Sequence, residues 1–461
     1  MLPLVDVDIP LIRRFDREGP RYTSYPTADR FTESFGPEAY ESSLARRDIG
    51  GVTRPLALYV HLPFCSTVCF YCGCNKVVTR DRSKGDQYLR YLAQEIALQA
   101  AAIGGSRKVS QMHWGGGTPN FFTLDQVAGL YAQLRDHFDL DPAGEYSIEL
   151  DPRYADADYV AGLRALGFNR LSLGVQDLDP AVQRAVHRVM DERQLVEIMD
   201  AARRHEFRSV NIDLIYGLPR QTLAGFEQTL ERIIAVAPSR IAAYSYAHIP
   251  TAFKPQRRIR EDELPAADMR LKLLAMAIRR LTRAGYQYIG MDHFARVGDA
   301  LAVAQRQGTL HRNFQGYSTH AHCDLLALGV SAIGSIGPTY SQNHRQLRDY
   351  YDALDRNVLP VMRGIELTAD DLLRRAVIGA LMCQFTVIKE SFAIPYLIDF
   401  DEYFSAELRE LASLEEQGLV ELDPQEIRVT PKGRLLVRNI AMVFDRYLRE
   451  DRIRRSYSRV I

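Results

Sequence analysis

From residue 55 onward, short runs of apolar, β-branched and aromatic residues alternate with longer stretches whose apolar positions recur every three or four residues. The short runs are LALYVHLPF (56–64), VSQMHWGG (109–116), YSIELDP (146–152), RLSLGVQD (170–177), SVNIDLIYG (209–217) and RIAAYSYAHI (240–249). YQYIGMDHF (286–294) is a looser seventh. Between them, Tyr88, Leu92 and Ile96 share one helical face, as do Val127, Leu130, Leu134 and Phe138. Thr123 and Gln126 have the spacing of a capping box. Gly167 and Gly285 stand where a helix ends before the next strand.

Strand and helix alternating in one sense predict parallel strands joined by right-handed crossovers. About six such units fit a partial parallel (β/α)6-type barrel, with a doubly wound open sheet as the competing arrangement. Polar residues gather at the C-terminal ends of several strands, where barrel active sites lie, and this favours the barrel.

Two regions fall outside the repeat. Residues 1–54 form an N-terminal extension that includes the aromatic, turn-rich stretch GPRYTSYPTADRF. Residues 55–364 hold the barrel and its extension. Residues 365–461 read as a mainly helical C-terminal domain, with LVELDPQEIRVT forming a β-hairpin turned at Asp423-Pro424. Helices with a terminal hairpin suggest a winged-helix arrangement, but no recognition helix rich in Lys and Arg stands out. A packing domain is the simpler expectation.

The 461-residue chain is 46% hydrophobic and 25% charged, as ordinary globular proteins are. Its 58 basic and 58 acidic residues cancel, so no global field draws it to nucleic acid. Apolar runs such as Leu325–Gly337 break well before membrane-spanning length. The N-terminus carries acids where a signal peptide needs a basic start. A soluble, cytoplasmic, monomeric protein without a membrane span is expected.

Four of the six cysteines, Cys65, Cys69, Cys72 and Cys74, fall in one ten-residue window that begins as the first strand ends. Cys323 and Cys383 are isolated and read as small buried hydrophobes. A disulfide framework would spread its cysteines along the chain. A structural zinc site needs a second, separated pair of ligands, and no second CxxC or HxxxH occurs. Three thiolates in CxxxCxxC spacing suit three irons of a [4Fe–4S] cluster, because both partners are soft. One iron is then left open to a substrate or cofactor.

CxxxCxxC after the first strand of a barrel resembles the signature of the radical S-adenosylmethionine (SAM) superfamily. YVHLPFCSTVCFYCGCNKVVTR, HWGGGTPN, SIELDP, RLSLGVQD, NIDLIYGLP, YIGMDHFA, HRNFQGY, GPRYTSYPTA and the terminal YSRVI narrow the likeness. Together they resemble the oxygen-independent coproporphyrinogen III oxidase (dehydrogenase) family of haem biosynthesis. The resemblance runs from about residue 19 to the C-terminus.

The resemblance implies a [4Fe–4S] cluster on Cys65, Cys69 and Cys72, with SAM chelating the open iron and two SAM molecules bound in all. It implies SAM contacts from Tyr59, Tyr71, Gly116, Gly117, Thr118, Glu149, Gln176, Arg188, Asp213, Ala247 and Ile333. Of these, Glu149 and Asp213 also stand out on physical grounds, as carboxylates inside apolar strands that need a partner or a ligand. Cys74 matches the family's additional cysteine and its role stays open. His61, His113 and His293 read as hydrogen-bonded core or loop residues.

The implied activity is oxidative decarboxylation of two propionates of coproporphyrinogen III to vinyl groups, giving protoporphyrinogen IX. A low-potential flavodoxin or ferredoxin is the implied electron donor. Arg21 is a candidate partner for a substrate carboxylate, and the N-terminal extension a candidate cover for the barrel mouth. A haem-carrying chaperone that shares CxxxCxxC is one rival reading; Cys74 and GPRYTSYPTA favour the enzyme. A nucleic-acid-binding regulator is the other, and zero net charge counts against it.

Overall fold

A computed structural model of the protein describes residues 5–48, 51 and 54–450. The terminal YSRVI lies outside the described residues. The chain divides into two compact units: residues 31–269 with 322–366, and residues 1–30 with 270–321 and 367–461.

The larger unit is built on one sheet. Its strands are β1 (Leu56–Leu62), β2 (Lys108–Gly116), β3 (Asp139–Leu150), β4 (Arg170–Gln176), β5 (Ser209–Tyr216), β6 (Arg240–Ser245), β7 (Asp324–Leu328), β8 (Ile333–Ile336), β9 (Thr339–Asn343) and β10 (Val361–Glu366). Within this unit the order is β10-β9-β8-β7-β1-β2-β3-β4-β5-β6. β7 and β1 to β6 run parallel, and β7 to β10 pair antiparallel. No pairing closes the sheet among the described residues, so the six-unit partial barrel stands. Central strands covered on both faces read as nearly continuous apolar runs rather than as alternation. β1 shows this, with Leu58 unexposed between Leu326 of β7 and Met112 of β2 in register.

Helices α1 (Ser83–Ala102), α2 (Leu124–His137), α3 (Ala157–Leu166), α4 (Glu192–Arg204) and α5 (Leu223–Ala235) are the crossovers. Tyr88, Leu92 and Ile96 of α1 are wholly buried. Thr123 and Gln126 close a capping box at the start of α2. Gly167 ends α3 with φ at 119°, a left-handed conformation open to glycine.

One sequence expectation is corrected. The run 286–294 is not one strand: Tyr286–Gly290 and His293–Arg296 form an antiparallel hairpin in the smaller unit, turned where Met291 takes φ at 51°. The apolar run Leu325–Gly337 contains a reversal, so it supplies both β7 and β8.

In the smaller unit the N-terminal residues fold with C-terminal helices. Arg438 donates from Nε to the Pro20 carbonyl at 2.9 Å, and the Tyr22 hydroxyl donates to Asp445 at 2.9 Å. The expected hairpin, Val420–Leu422 and Glu426–Val429, is joined by Thr386–Ile388 into a three-stranded sheet. Among the described residues no helix is long and apolar enough to cross a membrane.

Candidate active site

The cysteine segment leaves β1 and is closed on itself by backbone. Phe64–Cys65 pairs in parallel with Val77–Val78, Val77 N donates to Pro63 O at 2.7 Å, and Thr79 N donates to Cys65 O at 3.0 Å. The loop between them carries Cys69, Cys72 and Cys74 over the C-terminal ends of β2 to β5. There it walls a cavity of about 230 Å³.

Eleven residues were expected to contact SAM. Eight of them line this cavity with the cysteines: Tyr71, Gly116, Gly117, Thr118, Glu149, Gln176, Arg188 and Asp213. Tyr59, Ala247 and Ile333 are not among its lining residues. Tyr59 sits one layer away, stacked on His113 with ring centres 6.0 Å apart. The carbonyl of Ala247 accepts from the side chain of Gln256, which also donates to Tyr71 O at 3.0 Å. That buried glutamine ties the cysteine loop to the chain beyond β6.

The sulfur atoms face hydrogen-bond donors. Arg188 Nη1 lies 3.3 Å from Cys69 Sγ, and Arg153 Nη2 lies 3.6 Å from it. Thr118 Oγ1 lies 3.4 Å from Cys65 Sγ. Burial pushes the free Cys65 thiol up to about 11, whereas a hydrogen bond from Cys74 draws Cys72 below the ordinary thiol range. Soft donors opening into one cavity, with cations and a hydroxyl behind them, fit an iron–sulfur cluster. Among the described residues no three His, Cys, Asp or Glu side chains converge on a single-ion site. Ligands to three different irons lie farther apart than ligands to one ion, so a cluster is compatible with that spacing.

Glu149 on β3 is held from two sides. His113 donates from Nε2 to Oε1 at 3.2 Å, and Gly116 N donates to Oε2 at 3.2 Å. Its side chain is 42% exposed, so it can also reach a ligand in the cavity. Burial opposes its charge, but His113 and Gly116 outweigh that and hold the carboxyl below its usual range. Asp213 on β5 goes the other way. Burial first, and the charge of Glu149 second, push it up to about 7 despite hydrogen bonds from Asn211 and Ser172. Two carboxylates in one cavity are thus driven apart.

The glycines at the end of β2 and just beyond it are explained by contact. A Cβ on Gly116 would lie 2.6 Å from the His61 ring, and one on Gly117 would lie 2.6 Å from the backbone of Pro63. His61 is itself a brace. Its Nε2 donates to the Asn75 carbonyl at 3.1 Å and its Nδ1 accepts from the Tyr59 hydroxyl at 3.0 Å. Gln176 ends β4 at a register break with φ at 72°, a strained conformation that turns its side chain toward the cavity.

Sequence reasoning missed Asp151, Arg153, Ser172 and Gln256. Asp151 is buried and accepts from Arg153 at 2.7 Å and Arg188 at 2.9 Å. These arginines outweigh burial and hold its carboxyl below the usual range. An acid closing an apolar strand before a proline was a readable signal; its partner 37 residues away was not.

Comparisons agree with this geometry. The radical SAM superfamily profile matches residues 59–233, and that of the HemN C-terminal domain matches residues 367–436. The chain is 49% identical over 457 residues to oxygen-independent coproporphyrinogen III oxidase of Escherichia coli, covering 99% of each. It is 48% identical over 463 residues to the enzyme of the same name from Pseudomonas aeruginosa, covering 100% of each. The solved structure of coproporphyrinogen III oxidase (HemN) from Escherichia coli, described as a radical SAM enzyme, superposes with a TM-score of 0.91. It shares 48% identity and covers 96% of this chain and 100% of that one.

Proposed function

The chain belongs to the family of oxygen-independent coproporphyrinogen III oxidases, and from that premise we propose that the cysteine-lined cavity is its reaction chamber. The protein is a SAM-dependent oxidoreductase of porphyrin and haem biosynthesis, carrying a [4Fe–4S] cluster. It decarboxylates two propionate side chains of coproporphyrinogen III to vinyl groups, giving protoporphyrinogen IX. The observation that carries the assignment of the chamber is the meeting of Cys65, Cys69 and Cys72 with Gly116, Thr118, Glu149 and Asp213 around one cavity.

Cys65, Cys69 and Cys72 would hold the cluster, with Arg188 and Thr118 supporting the sulfurs. When bound, cluster and SAM supply the one-electron chemistry that removes a hydrogen atom from each propionate side chain before CO₂ leaves. Gly116 to Thr118 offer backbone and hydroxyl groups to the amino-acid part of SAM. Charged Glu149 accepts from an ammonium, and Asp213 faces the cavity as a hydroxyl partner. Tyr59, Ala247 and Ile333 complete a wider contact set, and a second SAM would lie outside the cavity described.

Arg21, 44% exposed and paired with Asp292 at 3.1 Å, offers a guanidinium to a propionate. Residues 1–54, as a cover over the substrate, keep the chemistry from water. A monomer in the cytoplasm, reduced by a low-potential carrier, completes the reading.

The test is anaerobic reconstitution with iron and sulfide, followed by SAM, dithionite and coproporphyrinogen III. Protoporphyrinogen is expected, and Arg21→Ala should raise KM for porphyrinogen while uncoupled SAM cleavage persists. Stable haem binding without turnover would return the chain to the carrier reading.

A further inference from the structure

The cysteine loop has an outer face as well as a cavity face. Phe70, between Cys69 and Cys72, does not line the cavity. It packs instead against the buried group of Val182, Val186 and Ile259. Its ring stacks on exposed His187, centres 5.0 Å apart at 13°, and the Arg258 guanidinium lies over it at 5.3 Å. His187 Nδ1 donates to Val68 O at 2.8 Å, so its ring is fixed to the same loop.

Arg258 belongs to the short helix Lys254–Arg258. That helix is seated on the loop: Gln256 donates to Tyr71 O, and Phe253 would meet a Cβ on Gly73 at 3.1 Å. Lys254, Arg257 and Arg258 are all exposed, and none pairs with a carboxylate among the described residues. Arg257 Nε donates only to the Pro250 carbonyl. Of the acids that follow, Asp262 pairs with Arg260 and Glu263 with Arg220, while exposed Glu261 lies 3.5 Å from the His248 ring. Val189, 59% exposed, adds an apolar spot two residues from His187.

We propose that this face, Lys254, Arg257 and Arg258 around Phe70 and His187, is the docking surface for a small acidic one-electron carrier protein. It rests on the reading of Cys69 and Cys72 as cluster ligands. Three uncompensated cations with an apolar spot suit an acidic, partly apolar patch, and steer its approach over roughly a Debye length of 8–10 Å. The place matters as much as the charge. An electron arriving at Phe70 is one residue from Cys69, while the cavity side stays free for SAM and substrate. One electron leaves the reduced carrier and enters the cysteine-held centre. The carrier is oxidised by one, the centre reduced by one, and no bond or proton moves.

The experiment uses the reconstituted holoenzyme and an acidic [2Fe–2S] ferredoxin. Complex formation is measured by calorimetry at low and high salt, beside the rate of cluster reduction by reduced ferredoxin and by dithionite. The triple variant Lys254→Glu/Arg257→Glu/Arg258→Glu should bind ferredoxin at least about tenfold more weakly at low salt, with the gap closing at high salt. Reduction by ferredoxin should slow in step, and reduction by dithionite should not change. Lys108→Glu, at the other end of β2, should match the wild type in every measurement. Unchanged ferredoxin affinity in the triple variant would overturn the proposal. So would a parallel loss of dithionite reduction, which would mark damage to the loop. If the wild type held no centre that dithionite reduces, the cluster reading itself would fall, and the docking proposal with it.

Discussion

Arg188 donates from one guanidinium to Cys69 Sγ at 3.3 Å and to Asp151 at 2.9 Å, while Nε and Nη2 hold the Gly174 carbonyl. The side chain is only 7% exposed, and that of Asp151 only 4%. One buried cation thus joins the cysteine loop to the ends of β3 and β4. Removing it leaves a buried carboxylate half-paired, which costs far more than the net worth of the pair. Arg188→Met should lower the stability of the cluster-free protein by about 3 kcal/mol in urea unfolding. A loss under about 1 kcal/mol would mean Arg153 alone satisfies Asp151.

The cluster assignment rests on three thiols, each opening into the cavity. Cys65→Ser, Cys69→Ser or Cys72→Ser should each abolish iron retention and product formation together. A variant with full iron content and turnover would remove that residue from the ligand set. Cys323→Ser and Cys383→Ser should keep both, because neither residue lines the cavity.

Asp213 should report its burial through pH. Its folded pKa of about 7 lies above the ordinary 3.8, with burial the larger cause and Glu149 the next. A raised carboxyl contributes stability that is fully present below about pH 4. That stability is lost progressively until the pH passes about 7. Asp213→Asn, which never ionises, should therefore be more stable than the wild type at pH 8 and close to it at pH 4. The same variant should bind SAM more weakly, on the order of tenfold, through one lost charge-assisted hydrogen bond. Glu149→Gln should shift the Asp213 titration downward by removing the like charge. A pH-independent gap between Asp213→Asn and wild type would refute the titration.

Much of this site was legible because its signals are local. Each strand from β1 to β6 announces itself by a short apolar run, and the cysteine spacing by its ten-residue window. Glu149 and Asp213 stand out as acids inside such runs. The Thr123–Gln126 capping box is a signal only four residues long and was read as such. What could not be read depends on partners distant in the chain. Asp151 gains its meaning from Arg188, and Gln256 from the carbonyl of Tyr71, 185 residues away. The antiparallel strands β8 to β10 were hidden for another reason. β7 is buried throughout and β8 at alternate residues, the two merge into one largely apolar run, and only the reversal near Gly329–Ser331 separates them.

Glycine positions separate fold from site most cleanly. Gly117 is pinned where β2 meets the cysteine loop: its N–H donates to Leu62 O at 2.8 Å, and Thr118 N donates to Phe64 O at 2.9 Å. A Cβ there would meet the Pro63 carbonyl carbon and oxygen at 2.6 Å, and backbone cannot swing aside as a side-chain tip can. Gly117→Ala should therefore cost roughly 1–3 kcal/mol, as overpacking does, and push apart the strand end and loop that frame the cavity. Gly129 is the opposite case. It sits exposed inside α2 with nothing within 4 Å of a built Cβ, so alanine only restricts the unfolded chain. Gly129→Ala should add about 1 kcal/mol and leave SAM binding untouched. The double variant then decides the matter. With Gly129→Ala offsetting part of the lost stability, SAM affinity should remain as poor as in Gly117→Ala alone. Recovery of SAM binding along with stability would show that Gly117 matters to the fold in general and not to the cavity.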